Sequence, residues 1–414
     1  MHKDSARQLR FIIAQTGARR NYAVPLILQK AQLLESFFTD VCGNVGWGRW
    51  LAWGKFLPLI GPKLERLAKR KVPLEIKCKT YTFWLPNFRW FWDSLWSENN
   101  KLGKFRIDVR RQKALADAAL TIGFGEATHL YVMLSEFTPL LAYAQDKGLK
   151  VVSEIYILLS TNRLLTEERR QFPGWEPESP DLDVVLREFG YENSLFNHVD
   201  FYICPSENVA LDLVENWNIE RAVITVVPYG MSPEWLQLVP ATIPGRILFV
   251  GTADLRKGIH YLAMAADILV KRGKNYEFRV AGHVSDHVRS QPMCRHLTFL
   301  GRVPRDLIQE EFRQADVFTL PSLAEGSAEV TYEALAAGIP LVITASAGSV
   351  ARDDIEGRII AERDPCALAD AIESIIENRQ LRERYSTSAR RRGAEFTRDK
   401  YGERLLAALQ ALPV

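Results

Sequence analysis

The chain has 414 residues, of which 47% are apolar and 25% charged, and its formal net charge is +3. This composition excludes a disordered or fibrous chain and supplies enough apolar material for two cores. The near-balance of charge gives no bias toward an anionic polymer, and no nucleic acid is expected as a partner.

The first apolar run, Phe11 to Ala14, reads as a strand and is too short for a signal-peptide core. A Gly/Arg turn follows, with Gly17, Arg19 and Arg20, and then a helical stretch over 25–38. Strand patterns recur over 129–134, 150–157, 201–206 and 222–230, with helical patterns over 138–148 and 207–217 between them. A polar insert separates the second of these strands from the third. Residues 231–245 are Pro-rich and break the pattern, so they read as a linker. The alternation resumes with strands over 246–252, 277–282, 297–301, 316–322 and 339–344 and helices over 258–273, 304–315 and 328–338. The tail from Pro365 is helical. Strand–helix alternation of this kind predicts parallel α/β architecture: two Rossmann-like, doubly wound domains facing a cleft, with ligands beyond the carboxyl ends of the strands. The expected boundaries are 1–230, a linker over 231–245, a second domain over 246–395, and a terminal helix over 396–414.

Five scattered cysteines, none spaced as CxxC, argue against a disulfide framework or a zinc site. They fit a reducing compartment, so a cytoplasmic location is expected. No stretch approaches the length needed to span a bilayer.

The most informative segment is Pro321 to Val342. A strand runs into a Gly/Ser loop, and a helix begins near Ala328. A helix N-terminus offers unpaired N–H groups and partial positive charge, which suits a diphosphate. Glu325 lies in the loop, placed to bond sugar hydroxyls. Glu333 lies eight positions on, inside a largely apolar helix, placed to accept from ribose hydroxyls. A second segment, 246–265, carries a strand ending at Gly251, then Thr252, then Arg256 and Lys257 at a helix start. Cations there oppose the helix dipole unless an anion lies between.

These residues resemble the E-x7-E motif and the Gly-to-Lys-Gly phosphate loop of the retaining GT-B glycosyltransferases, glycosyltransferase family 4 in particular. The likeness runs through the second half, and Pro205–Glu207, Pro228–Gly230 and the last helix also resemble that family. The resemblance implies that Lys257, with Arg256, neutralises a departing diphosphate, that Glu325 holds the donor sugar, and that Glu333 binds ribose. It places Gly251, Thr252, Gly301, Arg302, Val303, Gly326, Ser327, Ala328 and Val330 around the donor, with the backbone of Ala328 to Val330 cradling phosphate. It also implies retention at the anomeric carbon and no metal ion or other cofactor. Departures are Thr252, where the family often has Arg, and Gly326-Ser327-Ala328, where it usually has Gly-Phe-Gly. Glu329 adds an acid at the helix start. An epimerase of the same fold and an inactive nucleotide-sugar-binding protein are the alternatives.

Gly17, Arg19 and Glu136 are candidates for an acceptor or phosphate loop in the first half, with Ser135 and Glu154 near strand ends beside them. Asp181 and Asp183 form a DxD that reads as a helix cap, and His283 and His287 lack a third metal ligand. The stretch 47–96 holds seven of the ten tryptophans, and ten Lys/Arg fall between Arg49 and Arg89 against Glu65 and Glu75. Such a mixture suits a membrane interface on the cytoplasmic face or an anionic acceptor, it also suits stacking on sugars, and nucleic acid is a third reading. It equally suits an insertion with an aromatic core and a solvated basic face.

Overall fold

The computed structural model describes residues 8–56, 60–96, 100–134 and 136–413. Two parallel sheets organise them. The first contains β1 (Phe11–Ala14), β2 (Leu34–Thr39), β3 (Thr80–Thr82), β4 (His129–Met133), β5 (Lys150–Glu154), β6 (Phe201–Cys204) and β7 (Ile224–Val226), in the order β3-β2-β1-β4-β5-β6-β7. The second contains β8 (Arg246–Val250), β9 (Glu277–Ala281), β10 (Leu297–Gly301), β11 (Val317–Leu320), β12 (Leu341–Thr344) and β13 (Gly357–Ile360), in the order β10-β9-β8-β11-β12-β13. Every strand pair is parallel. Helices cover both faces, so the central strands are apolar without alternation.

In each sheet the chain order reverses at one place, between β1 and β4 and between β8 and β11. Adjacent crossovers depart in opposite directions there, leaving a crevice at the carboxyl ends.

The stretch 25–38 is not one helix. The helix Ala23–Lys30 ends there, Gln32 turns with φ 60°, and β2 follows. Leu34, Phe37 and Phe38 are fully buried. A strand covered on both faces shows no period of two, so the pattern alone ran it into the preceding helix. The Pro-rich stretch 231–245 is packed rather than free: Trp235 is buried against Phe312, and Met231 bridges to Thr397. The terminal helix Arg398–Gln410 lies on the helix Ala23–Lys30 of the first sheet, burying Leu405 and Leu409. Arg404 in it donates to the Pro228 and Tyr229 carbonyls.

The turn after β1 is conformationally costly. Arg20, Asn21 and Tyr22 all have left-handed φ, at 44°, 53° and 61°. Each costs roughly 1–2 kcal/mol for a residue with a Cβ. A buried network holds it: Arg20 donates to Glu154 at 2.5 Å, and Tyr131 and Tyr229 donate to the same carboxylate at 2.5 and 2.9 Å. Arg20 also stacks over the Tyr229 ring at 4.1 Å. The strain is thereby offset where the chain must turn Arg19 into the cleft.

Candidate active site

The crevice between β8 and β11 collects the charged residues of the two loops. Lys257 Nζ and Arg256 Nη1 both lie 2.5 Å from Glu325 Oε1. Lys257 is buried, and Arg256 also donates to the Ala324 carbonyl at 3.1 Å. Asp254 accepts from the Lys257 N–H at 2.9 Å and fixes the turn. Burial raises its carboxyl above the usual range, against the pull of Arg256. Gly251 lets Lys257 fold back: a Cβ there would meet Lys257 Cδ and Cε at 2.8 Å, and φ is 147°. Gly258 is needed for a different reason, since a Cβ would stand 1.9 Å from the Pro321 carbonyl oxygen. The absence of that atom brings the two loops together.

The helix after Glu325 spans Glu329–Ala336 and has no side-chain cap. The Ala328 N–H bonds the Ala347 carbonyl at 3.0 Å, so it is not available to cradle phosphate. The open first-turn groups are those of Glu329 and Val330. Ser327 also turns inward, its hydroxyl 2.8 Å from both Tyr332 Oη and the Gly348 carbonyl. Glu333 is half-buried, and burial followed by the Glu329 charge pushes its carboxyl up to about 7. Arg305 and Arg398 oppose that shift.

Gly326 is where the two sheets' loops touch. A Cβ would lie 1.8 Å from the Tyr156 carbonyl oxygen, and Ser206 donates to the Gly326 carbonyl at 2.5 Å. Its role in the structure is close approach between the halves, not an open ligand contact. Sequence reading missed Tyr156 as a participant. The only signal was its position two residues past β5.

Across from this contact lie the loops after β1 and β4. Glu136 accepts from the Thr16 N–H at 2.6 Å and from Arg19 at 2.7 Å. Arg19 also donates to Tyr156 Oη at 2.9 Å and lies over its ring at 4.1 Å. Burial raises the Glu136 carboxyl, and Arg19 pulls it back. The Gly17 N–H is committed to Asp40 at 2.9 Å, so the turn is braced rather than free. Glu154 does not face the cleft, being 1% exposed inside the Arg20 network. Ser135 lies outside the described residues.

Of the other residues expected around a donor, Gly301 reaches the Gly251 turn through Gly282, whose N–H bonds the Gly301 carbonyl at 2.8 Å. Thr252 is exposed. Gly301, with φ 69° and no atom near its missing side chain, ends β10 two strands from β8, followed by exposed Arg302 and half-buried Val303. Asp181 accepts from the Asp183 N–H at 3.0 Å at the start of the helix Asp183–Phe189. Among the described residues no three His, Cys, Asp or Glu side chains are grouped to hold a metal ion.

Comparison with known proteins is specific for the second half. A model of the family described as Glycosyl transferases group 1 matches residues 240–392. That stretch is a group 1 glycosyl transferase domain. The resemblance to the GT-B glycosyltransferases of family 4 holds for it. The group 1 relatives include glycogen synthase of Mycobacterium tuberculosis, 27% identical over 266 residues, or 61% of each chain. A phosphatidyl-myo-inositol mannosyltransferase of Mycobacterium leprae is 30% identical over 201 residues, covering 45% of this chain and 53% of that one. The matched region thus spans little more than half the length of these relatives. Over the whole chain the fold is that of sucrose-phosphate synthase from Thermosynechococcus elongatus, with TM-score 0.64 at 16% identity, covering 97% of this chain and 98% of that one. It is also that of Anabaena HepE, solved with UDP and glucose, with TM-score 0.59 at 14% identity, covering 98% and 100%. Two Rossmann-like sheets in the GT-B arrangement are therefore the fold of this protein.

Proposed function

We propose that the protein is a retaining glycosyltransferase that moves a hexose from a nucleotide-diphosphate sugar to an envelope, lipid-linked or polysaccharide acceptor. The observation that carries this reading is the convergence of Lys257, Arg256 and Glu325 at the β8/β11 crevice, against the open start of the helix Glu329–Ala336. Two cations held on one carboxylate form a site that a diphosphate can enter, exchanging one anion for another. The UDP and UDP-glucose bound to Anabaena HepE support the same donor class.

In the proposed reaction the bond from the anomeric carbon to the diphosphate breaks, giving an oxocarbenium-like transition state. Lys257, Arg256 and the helix N-terminus stabilise the charge growing on the leaving oxygen, in place of a metal ion. The acceptor hydroxyl attacks from the same face, a new glycosidic bond forms, and its proton passes to the departing diphosphate. Glu325 turns to the sugar hydroxyls once the diphosphate takes the cations. Glu333 accepts from ribose, and Gly251, Thr252 and the Gly301–Val303 backbone frame the nucleotide. Arg19 and Glu136 stand on the acceptor side.

The test is a thermal-shift series with UDP, GDP and ADP, with transfer from the matching sugar donors. One diphosphate is expected to raise the melting temperature, and Lys257→Ala to cut turnover by roughly a hundredfold or more while the protein melts normally. Turnover unchanged in Lys257→Ala sinks the assignment. Conversion of the free donor with no acceptor present would favour an epimerase.

A further inference from the structure

Beside the first sheet lies a second opening, lined by residues other than those of the charged crevice. Its volume is about 670 Å³, within the roughly 300–1,000 Å³ that seats a small ligand. One wall is the 3-10 segment Gly46–Phe56 with the helix Gly61–Ala68, and the other is the helix Trp84–Trp96. Leu51, Leu64, Leu67, Trp84 and Phe88 line it. The mouth is strongly apolar: Trp47, Trp84 and Phe88 are 65%, 45% and 59% exposed. Monomeric soluble proteins rarely leave such a patch without a ligand or surface to cover it.

Four polar members of the lining, Asp40, Arg70, Asn87 and Arg111, are joined to one another and form one end, while the Asp108 carboxylate accepts from Trp90 Nε1 at 2.6 Å. Arg111 donates to Asp40 at 2.7 Å and to Asn87 at 2.8 Å and lies 4.5 Å over the Trp90 ring, and Arg70 reaches Asp40 only at 3.4 Å. Arg111 is thus committed to Asp40 and Asn87 with a side chain 13% exposed, while Arg70 keeps a 39% exposed side chain and one long ion pair. Asp40 is also the residue that holds the Gly17 N–H. The polar end of the groove therefore adjoins the turn that carries Arg19 to Tyr156, and Tyr156 abuts Gly326 beside Glu325.

We infer that this groove is the acceptor site, and that the acceptor is a hydrocarbon-tailed phosphate whose chain lies between the two aromatic walls and whose phosphate meets Arg70. The inference rests on the proposed function and names the acceptor class for it. An apolar channel ending in an under-used guanidinium complements an amphiphile with an anionic head, since guanidinium and phosphate pair strongly. Tryptophans at the mouth suit the boundary where such a tail leaves a bilayer. The head group is then delivered to the Gly17 turn at the edge of the cleft.

Farnesyl phosphate is the probe, read by tryptophan fluorescence, with farnesol, inorganic phosphate and phosphatidylglycerol vesicles as separate arms. Saturable quenching by farnesyl phosphate is expected, weakened at least tenfold by Leu64→Glu and by Arg70→Gln. The nucleoside-diphosphate thermal shift of Leu64→Glu should match the parent protein. Phe88→Ser, at an exposed position, replaces Leu64→Glu if that variant does not melt cooperatively. Equal binding of farnesol or of inorganic phosphate overturns the inference, as does vesicle adhesion without farnesyl phosphate binding, or quenching that ignores the substitutions. Loss of the diphosphate shift in the parent protein strikes the donor reading instead, so the two failures are separable.

Discussion

Glu333 shows how one residue can report on the donor pocket. Its carboxyl is pushed up to about 7 by burial and by Glu329, whereas an unfolded Glu titrates at about 4.3. The folded state therefore holds the proton more tightly between these values, and this group's contribution to stability falls as pH rises from about 4 to about 7. Glu333→Gln should remove that slope and raise stability at pH 8 by on the order of 1 kcal/mol, seen in melting at several pH values. Ribose hydroxyls donate to the charged form, so affinity for the nucleoside diphosphate should rise with pH through about 7 and level off above it, approaching tenfold per unit on the acid side. Calorimetric titration at pH 6 and pH 8 checks this. A flat profile in the parent protein would remove Glu333 from the binding site.

At the scale of elements, the helix Glu329–Ala336 keeps its open N–H groups in its first turn, at Glu329 and Val330, because the Ala328 N–H is already spent on Ala347. Proline is tolerated at the first helical position and removes only the N–H there. Ala328 is extended, with ψ 105°, which a following proline favours. Glu329→Pro should thus keep the fold and lose one charge-assisted contact, about 1.5–3 kcal/mol or roughly tenfold or more in diphosphate affinity. Glu329→Ala is the control, since it removes the same carboxylate without touching the N–H. Equal affinity of the two variants would show that this amide does not meet the ligand.

Over the whole molecule, the segment after β5 clasps the second sheet. The helix Thr161–Gln171 carries Glu168, fully buried, which accepts from His260 at 2.8 Å, Tyr261 at 2.5 Å and Arg363 at 2.9 Å. Burial works against its ionisation, yet these hydrogen bonds hold the carboxyl below the usual range. Nearby, Glu176 accepts from the Leu255 N–H at 2.8 Å, just before Arg256 and Lys257. The clasp ties the loop that bears the cations to the first half of the chain. Glu168→Ala should leave three donors unpaired and destabilise by about 3–5 kcal/mol, measured by chemical denaturation. A loss below 1 kcal/mol would mean the clasp does not hold the halves together.

The sequence by itself determined the class of fold and the placing of charged residues in the loops after β8 and β11. Strand–loop–helix order is local, so Glu325, Glu333, Gly251 and Lys257 could be assigned to strand ends and helix starts from neighbouring residues alone. It left β2 inside a helix, because a strand buried on both faces carries no periodic signature, and left the short, partly exposed edge strands β3 and β13 unread. Tertiary structure decided everything that depends on strand order. The reversals at β1/β4 and β8/β11 bring Lys257 to Glu325 and Arg19 to Tyr156, residues far apart in the chain. They also turn Gly326 from a loop residue into the point where the halves meet, and seal Glu154 beneath the Arg20 turn, away from the cleft its strand end was expected to face. Whether the tryptophans between residues 47 and 96 filled a core or lined an opening was likewise not legible, since burial is a property of the packed chain and not of its composition.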